Sequence, residues 1–382
     1  MGDSFLTKET YTAALASVGV TRGSKGVTKK AEQQAKKTGK LQPIVDPAEF
    51  GVTRLSLPRV GKEDGGWKLL VGTPIPIETR FDSTSSMGDS VDTALEVLPN
   101  AFEYWKEVLE DYDIQASTGI FGDVVDDFVL CRPPFEMVAD KIVNQLTQMV
   151  PERGGGDPAE DPDVGIFGGA YLVRSYINRI GLKRYDFTVT DAPGRGRVDD
   201  KTLKRTFGDE VFTKVSENGH QIKHNGGSME LETIWNDLLE EAHAFIIVVR
   251  NSSSAKRFWN EHCGKERVVP IPHAKWIPQT QAAIIGLTEG VIEPQEVVTF
   301  LTRMNVDEAA AETIMEALVD IPLGAQAQLP NFDRRPMKGD FFAEKPDVWE
   351  DTNIWPISSS SVEEAEEDGE DEDDDEERDT WI

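Results

Sequence analysis

The sequence predicts an α/β fold built on a doubly wound, mainly parallel sheet, and three observations carry that expectation. Between Leu55 and about Val269, short apolar runs of strand length alternate with longer stretches whose apolar residues recur at helical spacing. The connections between successive runs are long enough to hold a helix, as parallel pairing requires. The 382 residues, 38% of them hydrophobic, suffice for a core on both faces of a sheet.

Taken in order, residues 1–45 open with a helical pattern at Tyr11 to Val18 and continue as a Gly/Lys/Thr-rich stretch of little apolar content. Thr21 to Lys40 carries seven basic residues against Glu32 alone, which reads as a basic N-terminal arm, flexible or draped over the domain. Strands are expected at Trp67 to Val71, Pro74 to Phe81, Ile114 to Phe121, Phe128 to Cys131, Tyr185 to Thr190 and His243 to Val249. Helices are expected between them at Val91 to Leu109, interrupted by Pro99, and at Phe135 to Met149, Val164 to Ile180 and Glu230 to Glu241.

From Ile277 the pattern is helical, at Thr280 to Leu287, Pro294 to Met304 and Val306 to Leu318, with Asp307 placed to cap the last. The chain thus divides into an arm (1–45), an α/β domain (46–272), a small helical appendix (273–330) and a C-terminal segment (331–382). That last segment ends in an acidic tail: residues 363–379 hold fourteen acids against one arginine, nearly half of the net charge of −29. Dense like charge with few apolar residues cannot offset the entropy of ordering, so disorder is expected there. As a flexible coil the roughly 50 residues after Pro330 span on the order of 40 Å, enough to bring the tail back to the domain.

Composition excludes several classes. No window approaches 18 uninterrupted apolar residues, and the start, MGDSFLTKETYTAALASVGV, lacks a basic segment followed by an apolar one and a cleavage site. No membrane partner is expected, and the chain reads as cytoplasmic. Two cysteines, Cys131 and Cys263, are too few for a disulfide framework or a four-thiolate zinc site, and reduced thiols are expected. His262, Cys263 and His273 lack a fourth ligand at zinc spacing. There is no phosphate-cradling G-x-x-x-x-G-K-[ST] loop, no G-x-G-x-x-G fingerprint and no G-x-S-x-G nucleophile turn.

The most informative stretch is Arg80 to Asp89, RFDSTSSMGD, directly after an expected strand and before an expected helix. Asp82, Thr84 and Ser86 at alternate positions place one carboxylate and two hydroxyls on one side of the turn. These are hard oxygen ligands suited to Mg²⁺ or Mn²⁺. Helix capping uses the same residue types, so the stretch is also a plausible N-cap.

Asp82-x-Thr84-x-Ser86-Met87-Gly88 resembles the metal-ion-dependent adhesion motif of von Willebrand factor A domains. Two further segments follow in the family's order. Gly154-Gly155-Gly156-Asp157-Pro158-Ala159-Glu160 is similar to the GGGDgPE loop of one subgroup, and Thr190-Asp191-Ala192-Pro193 to its ITDAP segment. The resemblance covers roughly Leu55 to Val269 and implies a Rossmann-like fold. It implies that Thr84 and Ser86 contact the metal directly and that Asp82 and Asp191 hold it directly or through water. Many members add a threonine from the second loop. This chain has none between Pro151 and Val164, where Asp157 is the available oxygen. Arg195 and Arg197 follow the third segment and would favour an anionic partner, or merely line an exposed loop.

The resemblance implies a metal-dependent protein-binding module: an Asp or Glu carboxylate of a partner protein completes the coordination of the metal, and nothing is chemically transformed. The family's intracellular members include adaptors that work with AAA+ ATPases, which implies an ATPase of that class as one partner. Two other classes stay open from sequence. One is metal-dependent phosphoester hydrolysis using Asp82, Asp191 and Asp157, for which no general base stands nearby. The other is a nucleic-acid-associated role for the basic arm, whose charges lack interleaved aromatics.

Overall fold

The structure, a computed structural model, describes residues 7–20, 26–49, 53–54, 59–63, 66–69, 73–84, 87, 97, 101–151, 159–175, 177–178, 182–222, 224, 226–326 and 380–381. Its centre is a six-stranded sheet formed by β1 (Thr73–Asp82), β2 (Tyr112–Phe121), β3 (Leu130–Cys131), β4 (Arg184–Thr190), β5 (Ala242–Val249) and β6 (Val268–Ile271). The spatial order is β6-β5-β4-β1-β2-β3, and all neighbours run parallel except β3, which returns antiparallel to β2. This is the doubly wound order 3-2-1-4-5-6, in which the chain starts at the centre, winds to one edge and then crosses to the other. The switch between the two directions falls between β1 and β4.

The strand sequences explain their places. β5, AHAFIIVV, is buried at every position, as a central parallel strand covered on both faces must be. β6 is the strand absent from the sequence expectation: VVPI is short, and Pro270 cannot donate to a ladder on its far side, which suits an edge. The other five expected strands of the sheet form, and Trp67 to Val71 falls on Gly66–Leu69, which hairpins with Arg59–Glu63 outside it.

One face of the sheet is apolar. Ile75, Ile77 and Phe81 of β1, Tyr185, Phe187 and Val189 of β4, and Phe245, Ile247 and Val249 of β5 point into a single core. The helices contributing to that core are α1 (Lys8–Ser17), α2 (Lys29–Thr38), α3 (residues 101–108), α4 (Ala139–Thr147), α10 (Ile277–Glu289), α11 (Val297–Arg303) and α12 (Glu308–Leu318). The arm and the appendix therefore dock on the sheet. Tyr11 is fully buried, edge-on to Phe102, and Ala31 and Ala35 are the buried pair of the otherwise lysine-rich α2. The α10 helix is buried from Ile277 to Thr288, polar Gln279, Thr280 and Gln281 included, and Gln281 donates to the Thr79 hydroxyl of β1 at 2.9 Å. Asp307 caps α12 as expected, its carboxylate accepting from the Ala310 N–H at 3.0 Å.

The opposite face is covered by α5 (Pro162–Leu172), α6 (Asp200–Phe207), α7 (Val211–Glu217), α8 (Leu231–Glu241) and α9 (Ser253–Cys263). Under α5 this face is charged. Glu78 and Arg80 of β1 lie beside Asp186 and Arg184 of β4, all essentially inaccessible. The Arg80 guanidinium pairs with Asp186 and with Glu78, and Arg132 donates twice to Glu78, at 2.6 and 2.9 Å. The packing of α5 so close to this stripe depends on Gly165 and Gly169, where a Cβ would stand 2.7 Å from Arg80 Cδ and 2.9 Å from Asp186 Oδ2, respectively.

The expected helix from Val164 to Ile180 is shorter than its pattern, because Val173–Arg174 leaves it to pair with Thr53–Arg54. Of the expected helix from Val91, residues 91–96 lie outside the described residues, as does the segment 331–382 apart from Thr380–Trp381, which pairs antiparallel with Arg59–Val60. Cys131 and Cys263 are both buried, and neither forms a disulfide among the described residues. Among the described residues, no helix is long and apolar enough to cross a membrane.

Candidate metal-binding site

Two strand ends define the site. Asp82 is the last residue of β1 and Thr190 the last of β4, adjacent strands on either side of the switch point, where ligands of doubly wound sheets are bound. Strand alternation puts Asp82 on the same face as Glu78 and Arg80, so its carboxylate is buried rather than exposed at a turn tip. Thr84 folds back on it: the Thr84 backbone N–H, at 2.9 Å, and the Thr84 hydroxyl both donate to Asp82 Oδ1. The Thr190 hydroxyl donates to Oδ2 at 2.8 Å.

Asp191 follows at once. Its Oδ2 accepts from Arg250 Nη1 at 3.0 Å, and its charge acts on Asp82. Arg250 reaches it because the chain turns sharply after β5, with Arg250 and Asn251 both in the left-handed region at φ of 60° and 51°. The structure thus brings together Asp82, Thr84 and Asp191 of the expected ligand set. Ser86 and Asp157 lie outside the described residues.

A residue that sequence reasoning passed over joins them. Glu160, the last of the Gly154–Glu160 segment, is 4% exposed, and its carboxyl is under the influence of Asp82 and of a hydrogen bond with Thr84. The signal was present in the sequence as the glutamate of the GGGDPAE segment. Burial, then the charges of Asp82 and Asp123, push Glu160 up to about 8. Burial likewise raises Asp82 to about 6, against the lowering effect of its hydroxyl and N–H donors.

Arg195 departs from expectation. Rather than offering its charge to a partner, the guanidinium is turned inward: Nε donates to Asp161 at 2.9 and 3.0 Å, and Nη2 donates to Asp123 Oδ1 at 2.9 Å and to the Ala159 carbonyl at 3.3 Å. Three buried acids surround this loop, and an ion pair with two of them outcompetes hydration of the guanidinium. The third, Asp163, takes the backbone N–H groups of Arg195 and Gly196, each at 3.0 Å, and burial raises its carboxyl to about 7. Arg197 is exposed on the short strand Arg197–Asp199, paired with Ser228–Glu230.

No family model matches the chain, and no curated protein matches it. Among solved structures, the crystal structure of the pilus adhesin SpaC from Lactobacillus rhamnosus GG overlaps 61% of this chain at 7% identity with a TM-score of 0.33. The overlap spans 34% of that adhesin's length, and at this level of likeness it carries no argument here.

One observation bears on whether a divalent cation suits these residues. Glu160 Oε2 and Asp123 Oδ2 are buried and find no hydrogen-bond partner among the described residues. Buried carboxylate oxygens without donors are costly, and a hard cation is one means of satisfying them. Among the described residues no group of three or more His, Cys, Asp or Glu is placed to hold a metal ion by itself. Hydroxyls, which such a group leaves out, are further hard oxygen donors, and Thr84 and Thr190 bring two of them to Asp82.

Proposed function

We propose that this chain is a von Willebrand factor A-like interaction module that uses Mg²⁺ or Mn²⁺ at the β1/β4 switch point to capture an Asp or Glu carboxylate of a partner protein. The observation that carries the reading is the meeting of Asp82 and Thr84 with Thr190 and Asp191 at the carboxyl ends of neighbouring strands. A bound divalent ion would supply a coordination position that an incoming carboxylate completes.

The chain's own residues set the terms of that capture. Asp82, held by two hydroxyls and one N–H, is fixed before any ligand arrives, so no ordering entropy is lost there on binding. Thr84, with Ser86 two residues on in the same motif, would present hydroxyls, neutral donors that leave net positive charge on the ion for an anionic partner. Asp191 is partly neutralised by Arg250, which limits repulsion of that carboxylate. The partner class that fits is an intracellular protein, including an AAA+ ATPase for which this chain acts as adaptor in the cytoplasm.

Calorimetric titration of the full chain with Mg²⁺ and Mn²⁺ tests the reading, beside Asp82→Ala and Ser86→Ala. Saturable binding at one site, abolished by Asp82→Ala and weakened by Ser86→Ala, is expected. Absence of binding by the unaltered chain would overturn it.

A further inference from the structure

We infer that Glu160 is the second-loop oxygen donor of this site, standing in for the threonine that the chain lacks between Pro151 and Val164, and that Arg195 is the clamp that presents it. The inference rests on the metal-binding reading above. It starts from an anomaly: Glu160 is 4% exposed, yet Oε2 has no hydrogen-bond partner among the described residues. A long, flexible side chain ordinarily turns such an oxygen to water. Here it is held inside, hydrogen-bonded through its carboxyl with Thr84 and within electrostatic reach of Asp82.

The backbone explains why it stays. The Glu160 N–H donates to the Pro193 carbonyl at 3.0 Å, tying it to the loop that carries Asp191. The residues on either side are fixed by one guanidinium, since Arg195 donates to the Ala159 carbonyl and to both oxygens of Asp161. Asp161 in turn accepts from the Val124 N–H at 2.8 Å and donates its own N–H to the Gly122 carbonyl at 3.2 Å. Arg195 also holds Asp123 in that same loop after β2. Three loops, after β2, before α5 and after β4, therefore meet on Arg195, and Glu160 lies at their junction. The planar fork of arginine satisfies this arrangement, and the single point charge of lysine does not.

A glutamate in place of a threonine changes the site's chemistry. A carboxylate adds a negative charge to the shell, which strengthens metal binding and weakens the attraction for a partner's carboxylate relative to a hydroxyl-lined site. The site would therefore bind Mn²⁺ tightly and its partner reversibly.

The test uses the full chain and Mn²⁺, with affinity from calorimetry and the number of exchangeable waters on the bound ion from water-proton relaxation. Glu160→Gln is expected to weaken Mn²⁺ binding at least tenfold and to add one exchangeable water. Arg195→Lys is expected to weaken binding about 10–100-fold, as loss of a residue that orients a ligand does. In the Glu160→Gln background Arg195→Lys should add little, because the clamp acts through Glu160; a general structural role would lower affinity equally in both backgrounds. Unchanged affinity and hydration in Glu160→Gln, with Asp82→Ala still abolishing binding, would overturn the inference and leave the metal site standing. Failure of the unaltered chain to bind Mn²⁺ would instead remove the reading on which it rests.

Discussion

The Thr190 hydroxyl donates to Asp82 Oδ2 at 2.8 Å, joining the last residues of two strands that are 108 positions apart in sequence. It couples the motif after β1 to the motif after β4. Thr190→Val keeps the shape and removes the donor from a buried carboxylate. Stability is expected to fall by about 1–3 kcal/mol, the cost of a buried acceptor left unpaired. The Asp82 carboxyl should also titrate above about 6, its present position, because a lowering influence is gone. Denaturant unfolding and carboxyl-carbon NMR titration check the two effects; an Asp82 titration that moves downward would contradict the account.

Four acids at the site are raised from ordinary carboxylate values: Asp82 and Asp161 to about 6, Asp163 to about 7 and Glu160 to about 8, with burial the leading cause in each. Between roughly pH 4 and 8 the folded state without metal holds protons that the unfolded chain has released. The slope of unfolding free energy with pH is then negative, so this contribution to stability is fully present below the unfolded pKa values and is lost as pH rises through the folded ones. The melting temperature in chelator is expected to fall from pH 5.5 to pH 8. Since metal competes with these protons, the increment in melting temperature from added Mg²⁺ should be larger at pH 8 than at pH 5.5. An increment independent of pH would count against metal binding by Asp82 and Glu160.

Asp186 and Arg80 form a buried pair beneath α5 that is remote from solvent. Asp186→Ala leaves the guanidinium with Glu78, which it shares with Arg132, as its one remaining carboxylate partner among the described residues and is expected to cost about 3–5 kcal/mol. The double change Arg80→Met with Asp186→Leu should cost less than the sum of the single ones, because it leaves no uncompensated charge. Chemical denaturation of Asp186→Ala, of Arg80→Met and Asp186→Leu singly, and of the double variant measures this.

At Gly169 an added methyl would meet Asp186 Oδ2 at 2.9 Å and Arg80 Nη1 at 3.2 Å. Both groups are buried and bound to each other, so moving either disturbs that pair. The overpacking cost of about 1–3 kcal/mol is expected to exceed the helix preference of alanine over glycine, so Gly169→Ala should lower the melting temperature. A variant as stable as the unaltered chain would show that α5 can lift from the stripe.

The sequence by itself determined the α/β class, five of the six strands of the sheet and the motifs that end β1 and β4, because strand alternation, helical periodicity and turn chemistry are local and each is written within about ten residues. Asp307 as a cap was legible for the same reason. Helices α2, α6, α7 and α9 escaped this reading, being short and polar on most of their surface, with burial confined to a few side chains each. Tertiary structure alone decided where charges go. Nothing in GRGR says that Arg195 turns inward while Arg197 stays exposed, because the acids that hold Arg195 lie 34 and 72 residues away. Nor does the run PAED say that Glu160 is buried beside Asp82. Electrostatic pairing depends on distance through space, and only the winding of the chain about the β1/β4 switch point brings these groups within reach of one another.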